Sequence, residues 1–446
     1  MNKNEFPEIK ISFEIESLGP IRDSKVHFKP FLIFSGESNT GKSYAAIAIY
    51  YLFFMLNNEK LISESTSGFF DKNQLADELN KNETVRRVIP YNFGSELERV
   101  FNKNIDQFVA YMLGYDDLSC KIKLKVTIPE SEITYMITKD PTFGDHIGIT
   151  AKANIGKNYS ISTNRTFGGP TGDLKYLINY SYTSLCNKLL FGNNEIKAFF
   201  LPPARGAFSG LAPSMLKNFS SIGIYNEFLE GIDSVRFRKF DTDNNKEQKK
   251  FINPLLEKLL NGKIKVERDN VSYAVAGSDT EIPLSAASSS VKELFPLYLL
   301  LNRLPIDGFS LCIEEPEAHL HPELQRSTAQ VLSYIVNNGS LIQATTHSDF
   351  FINQVNNLLK LHFLKIKNRE KFFKILKQTG IEEEFVLDPQ KPGAYYFEKN
   401  KDSETIQIKA LEITEKGIPM SSFNAVYDRS VKETRDLREA LIDDEE

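Results

Sequence analysis

The sequence predicts an α/β fold: a mixed sheet flanked by helices around a phosphate-binding loop, with a compact α+β insertion. Three stretches predict it. The apolar run Phe31-Leu32-Ile33-Phe34 has strand length and leads directly into Gly36-Glu37-Ser38-Asn39-Thr40-Gly41-Lys42-Ser43. The residues that follow, Tyr44 to Leu56, are apolar and read as a buried helix. Two further apolar runs end in polar clusters, Leu311-Cys312-Ile313 in Glu314-Glu315 and the other in Ala344-Thr345-Thr346-His347-Ser348.

The elements follow in order. Ile9, Ile11, Phe13 and Ile15 alternate with Lys10, Ser12, Glu14 and Glu16, the pattern of a half-buried strand. Gly19-Pro20 turns the chain, and Val26 and Phe28 begin a second alternating strand. In the glycine-rich loop, backbone N–H groups and the helix N-terminus are expected to face the phosphates of a nucleoside triphosphate. Lys42 is expected to reach the β- and γ-phosphates and the Ser43 hydroxyl to ligate Mg²⁺. Gly36, Asn39, Thr40, Gly41 and Tyr44 complete the candidate nucleotide contacts in this loop.

The chain divides into 1–56, the first part of the nucleotide-binding unit; 57–195, the insertion; 196–358, the second part of that unit; and 359–446, a C-terminal α/β extension. Within the insertion, Asp71 to Tyr115 reads as helical, and Cys120 to Met136 and Ile147 to Ile161 read as antiparallel strands. Residues 212–260 read as a compact helical arm with a polar break at Asp241-Thr242-Asp243-Asn244-Asn245-Lys246. No heptad pattern is sustained long enough for a rod-like coiled coil. In the extension, Lys360, Lys365, Lys367, Arg369, Lys371, Lys374 and Lys377 surround a single acid, Glu370, on an expected amphipathic helix. A solvated face and a site for nucleic acid or an acidic partner both fit that cluster. The end, Asp443-Asp444-Glu445-Glu446, reads as a disordered acidic tip.

Phosphoryl transfer asks a protein mainly for positioning and charge neutralisation, so a lysine, a metal and one aimed carboxylate suffice. Glu314 sits where an acid that orients magnesium belongs, and Glu315 where a general base would polarise water. His347, at a strand end, suits a sensor of the γ-phosphate. His319 and His321 beside carboxylates also allow a zinc cluster, without a spaced cysteine set to support it. Arg205, after Pro202-Pro203-Ala204, is presented on a rigid turn and could face phosphate, nucleic acid or a glutamate.

Together these residues resemble the ATP-binding-cassette-type ATPases of the RecF, SMC and OLD group, especially stand-alone bacterial members carrying Glu-Glu-Pro-Glu-Ala-His-Leu-His-Pro, here Glu314 to Pro322. The resemblance implies an ABC-ATPase-like head with ATP and Mg²⁺ as cofactors. It implies Glu315 as catalytic base, Glu314 as magnesium support, His347 as switch histidine and Ala318 to Pro322 as a dimer-contacting loop. It also implies that Leu284 to Lys292 is the signature segment, with Ser288, Ser289 and Ser290 capping ATP bound to the opposite subunit. Where the family has Ser-Ser-Gly, this chain has a third serine, adding a Cβ where glycine permits φ > 0. The similarity covers residues 9–56, 196–206 and 262–358.

Composition bounds the function classes. With 446 residues, 41% hydrophobic, the chain can bury a large core, and a net charge of −5 does not advertise a dedicated nucleic-acid binder. Three scattered cysteines fit a reducing cytosol. Met1 to Lys10 lacks the apolar core of a signal peptide, and Ala45 to Leu56 is too short to span a bilayer. A cytoplasmic protein with no membrane domain is expected. The resemblance implies a homodimer or higher homo-oligomer that controls a separately encoded effector protein, a nuclease or toxin, in anti-phage defence. The rival readings are a RecF-like DNA-repair ATPase and a non-hydrolysing, nucleotide-gated scaffold. No nuclease-type acid constellation follows His347.

Overall fold

Every residue of three short strands is buried, and around these three the fold is built. The computed structural model describes residues 9–443 except 68, 70–76, 79–80, 83, 141–145, 157–158, 169–173, 194, 210–221, 237–245, 268–270 and 401. Most of the polar break at 241–246 and the acidic tip after residue 443 lie outside the described residues. In chain order the strands are β1 (Lys10–Leu18), β2 (Ile21–His27), β3 (Phe31–Gly36), β4 (Thr84–Tyr91), β5 (Cys120–Thr127), β6 (Ser131–Asp140), β7 (His146–Ile155), β8 (Tyr159–Gly168), β9 (Lys197–Leu201), β10 (Gly262–Val266), β11 (Val271–Val275), β12 (Glu281–Pro283), β13 (Phe309–Glu314), β14 (Leu341–Thr346), β15 (Pro392–Lys399) and β16 (Ile406–Leu411). The helices of three turns or more that frame them are α1 (Lys42–Asn57), α2 (Phe93–Leu113), α3 (Leu174–Phe191), α4 (Gly223–Arg236), α5 (Lys246–Leu260), α6 (Ser289–Arg303), α7 (Pro322–Asn337), α8 (Asp349–Lys367), α9 (Arg369–Thr379) and α10 (Ser421–Asp443).

Nine strands form one mixed sheet in the order β5-β1-β2-β16-β15-β3-β14-β13-β9. From β15 to β9 all five strands are parallel, whereas β15–β16, β2–β1 and β1–β5 are antiparallel. The fully buried strands β3, β14 and β13 lie side by side. Their side chains feed two cores, Leu32 and Phe34 on one face of the sheet and Phe31 and Ile33 on the other. Parallel strands covered on both faces read as continuous apolar runs for this reason. Helix α1 is buried almost all round because it is the layer between the sheet and α2.

The insertion departs from its expected pattern. Asp71 to Tyr115 is not helical throughout: β4 occupies Thr84–Tyr91 before α2 begins. Val85, Val88 and Ile89 favour a strand and Pro90 opposes a helix, while pairing of β4 along its whole length with β6 settles the competition. Strands β4, β6, β7 and β8 form a separate antiparallel sheet, whereas β5 leaves the insertion to pair with β1 at the edge of the main sheet. A small meander, β10-β11-β12, was not foreseen because its runs are short.

The C-terminal region is part of the sheet. Strand β15 lies parallel to β3, with Ala394 opposite Ile33 and Tyr395 opposite Phe34. The Tyr395 hydroxyl donates to the carbonyl of His27 at 3.0 Å and accepts from its N–H at 2.8 Å, tying β15 across to β2. The basic cluster does not form one helix. The chain breaks at Asn368, whose side chain caps α9 by accepting from Lys371 N at 2.9 Å. Lys365 pairs with Glu383 at 2.8 Å and Lys367 with Glu415, so acids distant in sequence neutralise part of the cluster.

Strand β15 approaches β3 tightly at Gly36, where φ is +143° and a Cβ would fall 2.7 Å from the carbonyl oxygen of Phe397. Gly36→Ala is therefore expected to destabilise the chain by about 1–3 kcal/mol. Denaturant unfolding without nucleotide measures it, and an unchanged midpoint would show that this approach is not constrained.

Candidate functional site

The loop between β3 and α1 is shaped by backbone that few side chains tolerate. Asn39 and Gly41 have φ of +62° and +85°. Gly41 is the N-cap of α1, with no side-chain cap and no acid in the first helical turn. The leading N–H groups of α1 are thus not claimed by a capping side chain, the arrangement that receives anions. Thr40, buried, donates to Glu37 O at 2.8 Å. The Tyr44 ring lies against the β1–β2 turn, 2.7 Å from where a Cβ on Gly19 would sit.

Lys42 turns back over the loop and donates to Glu37 O at 2.6 Å and Gly36 O at 3.2 Å. It is 5% exposed. Burial lowers its pKa to about 8, against the opposing pull of Glu315, Glu317, Glu314 and Glu37.

Strand β13 delivers the carboxylates. Glu314, its last residue, accepts a hydrogen bond from the Ser43 hydroxyl on Oε2, and its Oε1 is buried without a hydrogen-bond partner. Burial pushes the Glu314 carboxyl up to about 7, with Ser43 opposing and Glu315 adding to the rise. A hydroxyl beside a carboxylate with one uncommitted buried oxygen is a donor set that fits Mg²⁺, which takes few protein oxygens and completes its shell with phosphate and water. Glu315 follows with φ +45°, its N–H bonded to Thr345 O at 3.0 Å.

Strand β14 delivers His347, which lies within the electrostatic reach of Lys42 and Glu315 and has a hydrogen bond with the Gly36 backbone. Burial first and Lys42 second hold the imidazole below its ordinary pKa, which favours its neutral form. Glu317 fixes that strand end: its Oε1 accepts from the His347 N–H at 2.6 Å and the Thr346 hydroxyl at 2.8 Å. Its Oε2 is buried without a partner, and burial raises its pKa. Sequence reasoning passed over Glu317 because its partners lie on another strand; its place two residues beyond the acid pair was the available signal.

The structure thus brings Lys42, Ser43, Glu314, Glu315 and His347 to one end of the parallel strands. Ser288, Ser289 and Ser290 are not joined to this cluster by any hydrogen bond among the described residues. Ser288 caps α6, accepting from Val291 N at 3.4 Å, and its hydroxyl lies 3.0 Å from that of Ser290. Ser290 is helical, a conformation any residue adopts, so its Cβ meets no φ > 0 requirement here. His321 is the N-cap of α7, its Nδ1 accepting from Glu323 N, which gives it a structural task in place of a zinc one. Among the described residues no group of three or more His, Cys, Asp or Glu forms a metal cage. Arg205 faces a glutamate and backbone carbonyls rather than solvent.

Three comparisons with known proteins bear on this chain. Residues 216–352, which include β13, β14 and His347, match a family model described as an AAA ATPase domain. Comparison with curated proteins finds no significant match. Among solved structures, the chain is similar to an SMC head domain from Thermotoga maritima, at 11% identity over 91% of this chain and 100% of that one, with a TM-score of 0.33. An Smc head bound to the C-terminal winged-helix domain of ScpA gives 10% identity over 92% and 99%, with a TM-score of 0.38. An Smc head with an extended coiled coil, bound to the C-terminal domain of ScpA derived from Pyrococcus furiosus, gives 10% identity over 97% and 100%, with a TM-score of 0.33. Among the described residues no helix is long and apolar enough to cross a membrane.

The Glu314 carboxyl supplies a pH test. The folded chain holds its proton more tightly than the unfolded chain, so this contribution to stability is complete below pH 4.5 and is lost as pH rises through about 7. Glu314→Gln keeps the shape and removes the titration. Melting curves between about pH 5 and about pH 8 should show the wild type losing more stability than the variant; equal losses would mean that Glu314 does not titrate in this window.

Proposed function

We propose that this chain is a Mg²⁺-dependent ATPase of the ABC/SMC type. The observation that carries the reading is the convergence of Lys42, Ser43, Glu314, Glu315 and His347 from three neighbouring strand ends. Lys42 neutralises the β- and γ-phosphates, and the N–H groups of the loop and of α1 orient them. Ser43 and Glu314 hold Mg²⁺, which when bound offsets negative charge on the phosphates. Glu315, whose backbone is left-handed at φ +45°, positions the attacking water and takes its proton. His347, within the electrostatic reach of Lys42, reads the γ-phosphate.

In this reading two copies pair head-to-tail, and Ser288, Ser289 and Ser290 of each cap the nucleotide of the other. Supporting it, Ser288 and Ser289 are exposed at the N-terminus of a 15-residue helix. Control of a separately encoded nuclease or toxin effector in anti-phage defence, from the cytoplasm, rests on the sequence resemblance. Partial neutralisation of the basic cluster by Glu383 and Glu415 weighs against a nucleic-acid role for that cluster.

Two substitutions divide binding from chemistry. Lys42→Ala should weaken binding of a fluorescent ATP analogue by about 10- to 100-fold, the worth of a charge-assisted contact to phosphate. Glu315→Gln should leave that affinity intact, lower kcat by about 10²–10⁴, and accumulate an ATP-dependent dimer in light scattering. Turnover near the wild-type rate in Glu315→Gln would remove Glu315 as the base. Mixing Lys42→Ala with Ser288→Arg chains tests the pairing, since one intact composite site per heterodimer should recover activity.

A further inference from the structure

Arg205 is 1% exposed, and its guanidinium is the largest charged group fully enclosed among the described residues. It stands in the turn after β9 and reaches two further elements, β13 and α6. Its Nη1 donates to Glu314 O at 2.9 Å and Pro202 O at 3.2 Å, and its Nε donates to Glu293 O at 3.1 Å. The Glu293 carboxylate, also buried, lies 3.6 Å from Nε. No side chain can separate this turn from α6, because a Cβ on Gly206 would fall 2.9 Å from Glu293 Oε1 and 3.1 Å from Glu293 N.

The contact with Glu314 O matters for a geometric reason. That carbonyl and the N–H of Glu315 belong to one peptide unit. The N–H is bonded to Thr345 O, so Arg205 holds one side of the unit and β14 the other. This peptide joins the two carboxylates and leads into Glu315 at φ +45°, a conformation a glutamate keeps only where its surroundings enforce it. Rotation of the unit would swing Glu315 relative to Glu314. A guanidinium fork suits the task, since one rigid plane serves several carbonyls, whereas an ammonium is a single point.

We propose that Arg205 is a positioning residue that locks the Glu314–Glu315 peptide and, through Glu293, makes the N-terminal part of α6 part of the same rigid unit. The inference rests on the reading of Glu314 and Glu315 as metal-supporting acid and base. Small displacements of a reacting group carry large costs in rate, about 100-fold for 1 Å.

The test is Arg205→Lys, which keeps the buried charge and loses the fork. Affinity for the fluorescent ATP analogue should stay within about threefold, while kcat falls by about tenfold or more at unchanged KM. Hydrogen–deuterium exchange should quicken in 289–295 and 313–318 together and stay unchanged in β3 and α1. Wild-type kcat, or a loss confined to nucleotide affinity, would overturn the proposal. Should the wild type neither bind nor hydrolyse ATP, the nucleotide reading fails, and the exchange pattern alone still decides whether Arg205 holds this peptide. If Arg205→Lys does not fold, Glu293→Gln, which preserves the backbone acceptor, takes the same measurements. Failure of both to fold would leave Arg205 a purely structural residue and end the positioning claim.

Discussion

An ammonium group enclosed with carboxylates is the constraint on which the rest of this protein depends. Lys42 is almost fully buried, and Glu314, Glu315 and Glu317 all act on it. Burying one charge alone is prohibitive, and burying several of one sign is worse. Lowering of the lysine's pKa and raising of those of Glu314 and Glu317 are opposite responses to the same desolvation. Each group therefore needs the others in place, and all of them need the strand ends that carry them. A ligand bringing negative phosphates and a divalent cation would answer both halves of that balance.

The sheet order makes such an assembly possible. Strands β3, β14 and β13 are neighbours and parallel, so their carboxyl ends open on the same side. The residues just beyond those ends are Glu37 to Lys42, His347 and Glu315. Ligand sites outside the carboxyl ends of parallel strands are a general consequence of this architecture. Around the site, backbone with positive φ recurs at Asn39, Gly41, Glu315 and His319. Strained backbone persists where surrounding contacts over-determine it, and here the Arg205 and Thr345 contacts on one peptide illustrate how.

Much of this was legible in the chain. The glycine-rich loop, the acid pair and the Thr-His-Ser end each announce themselves through local order, an apolar strand of buried residues followed at once by polar ones. The N-terminal hairpin and the strands of 147–161 were likewise visible through alternation. Less legible were elements whose identity depends on distant pairing. Strand β4 has only a short β-branched run to mark it, and its pairing with β6 decides the outcome. The basic stretch looked like one helix, but Asn368, extended at φ −156° and capping α9 with its side chain, ends α8 within it. Its charge looked uncompensated because Glu383 and Glu415 come from beyond it in the chain.

By itself the sequence determined the groups of the site and the local structures that carry them, because helix entry, strand burial and glycine at positive φ are governed by neighbours in the chain. Only the tertiary structure decided which of those groups meet. It placed β15 between β3 and β16, gave Glu317 to His347 and Thr346, and sent Arg205 to Glu314 and Glu293 rather than to solvent. Those outcomes turn on hydrogen bonds and desolvation between residues far apart in sequence, 109 positions in the case of Arg205 and Glu314. Such contacts leave no periodic mark in the chain, because their energy exists only once the intervening elements have packed.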